Sequence, residues 1–178
     1  DGGPHQAVGS GQTWQPHWTI AQPAATLWYH PHPHGATEQH VYHGLAGLFL
    51  IDDALSDGLA LPNRYGVDDI PVIVQDKVFN RAGELRLGER VETGLLGETI
   101  LVNGTYAPYF TVTTTQVRLR ILNGSTARIY GFGFSDERAF DLIATDGGLL
   151  AAPHRTTRIQ LSPGERAEIV VAMAPDTV

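Results

Sequence analysis

From Asp68 onward the chain is a run of short apolar or alternating segments, each closed by a turn signal, and this spacing limits the fold to an all-β one. Residues 70–75 form a nearly continuous apolar segment. Residues 99–102 precede Asn103-Gly104 and residues 117–122 precede Asn123-Gly124, both strong turn pairs. Residues 109–115, 128–134, 140–145, 157–161 and 166–173 complete about eight short strands at close spacing, the pattern of a β-sandwich. Twenty glycines and eleven prolines supply the turns. Residues 117–122 alternate with period two, which predicts one buried and one solvated face.

Residues 1–53 differ. Residues 1–12 are rich in Gly, Pro and Gln and read as loop. Residues 14–20 and 25–30 read as extended segments, and residues 45–51 as a buried strand ended by Asp52-Asp53. That gives three or four strands where a sandwich needs about seven, so upstream chain or a partner is expected to complete this block. Residues 54–66 carry Pro62-Asn63 and Gly66 and predict a linker with one turn of helix. The expected organisation is an incomplete sandwich over 1–53, a linker over 54–66 and a near-complete sandwich over 67–178. Asp52, Asp53, Asp68 and Asp69 read as solvated strand ends. Asp146-Gly147-Gly148 echoes Asp1-Gly2-Gly3, which turn chemistry explains without an internal repeat.

A net charge of −7, with the eight histidines neutral, and the lack of any Lys/Arg block exclude nucleic acid as an expected partner. With no cysteine, these residues hold neither a disulfide framework nor a cysteine-ligated zinc, nor a blue-copper site, which needs a thiolate. No apolar run approaches the roughly 20 residues of a membrane span. No signal peptide is recognisable and the first residue is not Met. The opening Asp1-Gly2-Gly3-Pro4 reads as the interior of a longer protein, and a mature N-terminus reads the same way.

The chemistry-bearing stretch is Trp28-Tyr29-His30-Pro31-His32-Pro33-His34-Gly35. In an extended chain, residues two apart project from one face, so His30, His32 and His34 share a side. Pro31 and Pro33 hold the residues before them extended and withdraw backbone donors from any central ladder. The product is a stiff, edge-like ribbon presenting imidazoles, and neutral imidazole suits copper or zinc. Successive side chains on that face stand about 7 Å apart, from a rise of about 3.3 Å per residue. Two neighbouring imidazoles can converge on one metal or serve two metals side by side. His5, His17, His40, His43 and His154 are scattered and read as structural or solvent-facing. Asp1, beside Gly2-Gly3, reads most simply as a turn former, although a carboxylate near a metal can also relay protons.

The His-rich stretch, followed by Gly44-Leu45-Ala46-Gly47-Leu48-Phe49-Leu50-Ile51, resembles the second His-X-His motif of bacterial multicopper oxidases, in particular the laccase-like cuprous oxidases and their bilirubin-oxidase-like relatives. Asp69-Ile70-Pro71-Val72-Ile73-Val74-Gln75-Asp76-Lys77 resembles the opening strand of that family's second domain. Leu119-Arg120-Ile121-Leu122-Asn123-Gly124 and Ala144-Thr145-Asp146-Gly147-Gly148 fit the same domain, in the family's order. The resemblance implies three cupredoxin-like Greek-key β-sandwiches, of which residues 1–53 are the C-terminal part of the first and 67–178 the second. It implies a type 1 copper in the third domain that accepts electrons from a small reducing substrate or cuprous ion. It further implies a trinuclear cluster that reduces O2 to water, supplied by four His-X-His motifs. By position, His30 and His32 would each ligate a different copper of the type 3 pair, with His34 a neighbour rather than a ligand. Asp1 falls just after the position of the first motif, where the family's aspartate assists proton delivery. That first-motif segment and the third domain with the type 1 site are not among these residues, so the chain alone is expected to be inactive. A periplasmic or extracellular location is implied by the same resemblance.

Three rival readings stand beside this one. Some relatives, including a bacterial cell-division protein, keep the sandwiches but have lost copper ligands, and intact His30 and His32 speak against that structural role. A two-domain oxidase needs a His-Cys-His motif, and cysteine is absent. A mononuclear β-sandwich site would use His30, His32 and His34 together.

Overall fold

The computed structural model describes residues 8–174 apart from 89 and 93. In chain order the elements are β1 (Ala25–Tyr29), α1 (Thr37–Tyr42), β2 (Gly47–Ile51), α2 (Ala54–Asp57), β3 (Asp69–Phe79), β4 (Leu85–Arg86), β5 (Arg90–Val91), β6 (Gly94–Leu95), β7 (Thr99–Val102), β8 (Thr105–Tyr106), β9 (Gln116–Asn123), β10 (Tyr130–Gly133), β11 (Phe140–Thr145), β12 (Gly148–Thr156), β13 (Arg158–Leu161) and β14 (Arg166–Ala172).

The main sheet runs β12-β11-β14-β9-β3-β7-β8, with β4 paired to β3. Its centre is a parallel pairing of β3 with β9, while β9 and β14 run antiparallel. Strands β10 and β13 form a separate antiparallel pair. The core lies between this pair and the main sheet, built on Val117 and Ile121 of β9, Phe140 of β11, Leu161 of β13, and Ala167, Ile169 and Val171 of β14. The architecture is the all-β sandwich that the strand spacing predicted.

The expectation of a solvated second face on residues 117–122 is corrected. Arg118 and Arg120, which alternate with the core residues, are 5% and 2% exposed. Their side of the sheet also carries Glu168, directly across from Arg120 in the ladder, and Asp69. The antiparallel β1–β2 hairpin covers this side. It buries the charges because they satisfy one another: Arg120 Nε and Nη2 donate to Asp69 at 2.8 and 2.9 Å, and Arg118 Nε donates to Glu168 at 2.7 Å. Asp69 is therefore no solvated strand end; it is 3% exposed, and Asp68 is 8% exposed, accepting from the Arg64 amide and guanidinium. Asp53 instead caps α2, accepting from the Ser56 amide at 2.8 Å. Asp52 stays largely exposed, as expected.

Residues 14–20 and 109–115 do not join a ladder. Pro16 withdraws a donor from the first segment, whose Trp18 packs on Phe49 with ring centroids 6.3 Å apart. In the second, Thr114 bonds locally to the Gln116 carbonyl, the competition threonine offers to strand pairing. Helix α1, the edge strand β12 and the two-residue strands β4, β5, β6 and β8 were not anticipated. Residues 54–66 hold the single helical turn expected of them, α2. No described helix is long and apolar enough to cross a membrane.

Candidate metal centre

Strand β1 delivers the histidines. Among the described residues it pairs only with β2, register Ala25↔Ile51 to Tyr29↔Gly47. At its exit Tyr29 lies across Gly47, where a Cβ would meet the phenol ring at 2.5 Å, so only glycine lets the ring lie flat there. Residues 30–33 leave the ladder, as the two prolines require. Gly35, at φ +76°, turns the chain, and the Ala36 amide closes the turn onto the Pro33 carbonyl at 3.1 Å. Helix α1 then follows without a side-chain N-cap. It is held from β3 instead: Gln75 Nε2 donates to the Val41 carbonyl at 3.0 Å, Lys77 Nζ donates to the Tyr42 carbonyl, and Lys77 sits 4.7 Å over the Tyr42 ring.

The structure brings His30 and His32 together, with ring centroids 5.5 Å apart and planes inclined by 33°. His30 is half-buried and His32 exposed. His30 Nδ1 lies 2.9 Å from the Pro31 carbonyl oxygen. A carbonyl only accepts, so this contact is made by Nδ1–H, and in the neutral ring Nε2 is the atom left for a metal. The donor set fits copper: two imidazoles side by side, one oriented by a backbone acceptor. His34 is exposed in the turn beyond them. Among the described residues no group of three or more His, Cys, Asp or Glu stands together to hold a metal ion. His30, His32 and His34 therefore do not converge as a three-ligand site. Asp1 and His5 lie outside the described residues. His17, His43 and His154 are exposed, as read from the sequence. His40 is half-buried, with a buried Nδ1 that has no hydrogen-bond partner.

Sequence reasoning missed the groups behind the histidines. The Trp28 indole lies against His30, centroids 4.3 Å apart and planes inclined by 32°. Thr26 is wholly buried; its hydroxyl donates to Glu168 Oε1 at 2.6 Å and accepts from Arg120 Nη1 at 3.0 Å, while Arg166 Nε donates to its carbonyl at 3.0 Å. The available signal was the charge pattern: arginines at 118 and 120 on one strand and Glu168 on another, each alternating with apolar residues.

The chain matches two multicopper oxidase family models, one over residues 1–56 and the other over residues 71–178. It is 46% identical over 172 residues to the cell division protein FtsP of Salmonella typhimurium, an alignment covering 97% of this chain and 37% of that protein. Among solved structures it resembles the McoA multicopper oxidase of Aquifex aeolicus, with a TM-score of 0.82 and 44% identity over 88% of this chain and 36% of that one. It also resembles the laccase-like multicopper oxidase CueO of an Ochrobactrum species, with a TM-score of 0.88 and 40% identity over 97% of this chain and 39% of that one. The chain thus spans about 37% of the length of the curated relatives it matches.

Proposed function

We propose that this chain, which belongs to the multicopper oxidase family, uses His30 and His32 to hold the two adjacent coppers of a type 3 pair, within the cluster at which the longer protein reduces O2 to water. The observation that carries this reading is the imidazole pair on its proline-stiffened ribbon, 5.5 Å between ring centroids, with the His30 Nε2 lone pair kept free. Bound copper would supply one-electron redox chemistry at this position. The chain's own residues would bind and orient. Pro31 and Pro33 keep the ribbon extended, and the Pro31 carbonyl holds the His30 proton on Nδ1. His34 borders the pair, and Asp1 would assist proton delivery.

On this reading residues 1–53 belong to the first cupredoxin-like domain, 54–66 to a linker and 67–178 to the second domain, a division supported by the two matched ranges. The first-motif segment and a third domain with the type 1 copper would supply the remaining ligands and the entry point for electrons. The reductant would be a small molecule such as a phenol, or cuprous ion, and the location periplasmic or extracellular. The test is O2 uptake with a phenolic dye. The copper-loaded full-length protein should consume O2 and the isolated 178-residue chain should not. A full-length protein that binds copper yet leaves O2 untouched would refute the oxidase reading.

A second reading is a structural role in cell division, favoured by the 46% identity to FtsP. It predicts a full-length protein that takes up no copper at His30 and His32 and oxidises no dye. The intact histidine pair favours the oxidase.

A further inference from the structure

We infer that the second sandwich, which carries neither of these histidines, sets the orientation of the His30 imidazole through Thr26 and Trp28, making both positioning residues for that ligand. This rests on the copper role proposed for His30.

Thr26, Trp28 and His30 alternate along an extended segment and so project from one face, the face turned to the second sandwich. Among the described residues strand β1 is laddered to β2. Beside that ladder and the bond from the Ala24 amide to Asp53 at 2.9 Å, it is fixed from across the interface. The Thr26 hydroxyl sits between Glu168 and Arg120, both 2% exposed, and Arg166 grips the Thr26 carbonyl. Two residues before Thr26, the Ala24 carbonyl approaches Gly148 so closely that a Cβ there would meet it at 2.5 Å. Two residues beyond Thr26, the Trp28 ring rests on Gly164, its Cζ2 3.4 Å from where a Cβ would stand. Gly164 itself is held, its amide donating to the Asn123 carbonyl at 2.8 Å. The ring thus lies between the turn that joins β13 to β14 and the His30 imidazole.

An imidazole packed against a fixed indole, with Nδ1 bonded to a backbone carbonyl, has little rotational freedom left to lose when a metal binds. Groups that orient a metal-bound histidine by hydrogen bonding typically change metal affinity by 10–100-fold when removed, which sets the upper scale for one that orients it by packing. Because Trp28 acts through one ligand of several, we expect the low end, about tenfold.

The test uses the full-length protein with His30→Ala as reference. Copper affinity is read by chelator competition, and melting temperature is read with and without copper. Trp28→Leu should weaken copper binding about tenfold and reduce the copper-induced rise in melting temperature, with Trp28→Phe restoring most of both. In the metal-free protein the His30 ring protons should lose the ring-current shift imposed by the indole. Thr26→Val, which keeps volume and removes only the hydroxyl, should move copper affinity in the same direction, and Thr26→Ser should restore it. If Trp28→Leu does not fold, the Thr26 pair decides on the same readouts. Equal losses of melting temperature with and without copper, at unchanged affinity, would show that Thr26 and Trp28 only pack, and would overturn the inference. If His30→Ala loses copper while the Trp28 and Thr26 variants keep it, positioning fails and the copper role stands. If His30→Ala binds copper as well as the parent protein, the copper role fails and the inference with it.

Discussion

Replacing Glu168 with Gln should be among the most damaging single changes that leave side-chain volume intact. The buried face behind β1 holds two guanidiniums, Arg118 and Arg120, against two buried carboxylates, Glu168 and Asp69, with exposed Asp52 3.8 Å from Arg120. Glu168 accepts from Thr26 at 2.6 Å and from Arg118 Nε at 2.7 Å, is contacted by Arg118 Nη2, and lies 3.4 Å from Arg120 Nη1. Gln keeps the shape and removes the charge, leaving two buried cations facing one buried anion. It also turns an amide NH2 either toward the Arg118 guanidinium, which only donates, or toward the Thr26 hydroxyl, which already accepts from Arg120. Removing one partner of a buried ion pair costs about 3–5 kcal/mol, a large share of the roughly 5–15 kcal/mol that stabilises a typical domain. Urea unfolding at pH 7 should show this loss as a lower midpoint at unchanged slope. Thr26→Val, which removes the hydroxyl's charge-assisted hydrogen bonds with both Glu168 and Arg120, should cost at least about 1.5–3 kcal/mol. The two changes should be non-additive, with a coupling of about 0.5–3 kcal/mol. A Glu168→Gln loss under about 1 kcal/mol, or strict additivity with Thr26→Val, would refute the claim that this cluster fastens the histidine strand to the second sandwich.

Asp76 would be raised by its burial, but hydrogen bonds from Ser125, the Gly97 amide and Arg128 outweigh this and hold its carboxyl below the usual 3.8. Its stabilisation is therefore present above pH 3.8 and is lost as pH falls through the folded value. The stability gap between the parent and Asp76→Asn should be constant well above pH 3.8 and close below it, as followed by urea midpoints. Burial lowers Lys77 from 10.5 to about 8, opposed by Asp76. Between those values the folded chain has released a proton that the unfolded chain still holds, so stability should rise with pH across this window in the parent and not in Lys77→Met. Gly148→Ala places a Cβ at φ +116° and 2.5 Å from the Ala24 carbonyl. It should cost about 3 kcal/mol, read by thermal unfolding, and the same change at exposed Gly147, where a Cβ meets nothing, should be close to neutral.

The period-two pattern of residues 117–122 made β9 legible, since a strand packed on one side must alternate. That its second face is also buried was not legible, because the cover comes from β1, some 90 residues away, and the pattern Val-Arg-Leu-Arg-Ile is what a solvated face would also show. For the same reason Asp69 reads as a strand end until Arg120 is seen against it. Helix α1 escaped detection because its six residues have no capping side chain and depend on Gln75 and Lys77 for anchorage. Strand β12 was hidden by Pro153, which only a sheet edge tolerates. The histidine ribbon was legible because proline acts locally: Pro31 and Pro33 fix the backbone of the residues beside them whatever surrounds them. Trp28 was not, since its role depends on a turn more than 130 residues further along.

The most direct test of the copper role is the copper content of the full-length protein and of its His30→Ala and His32→Ala variants, measured by elemental analysis after loading and dialysis. Each variant should retain less copper than the parent and lose O2 uptake. Parent-level copper in both variants would contradict the assignment of these imidazoles as ligands.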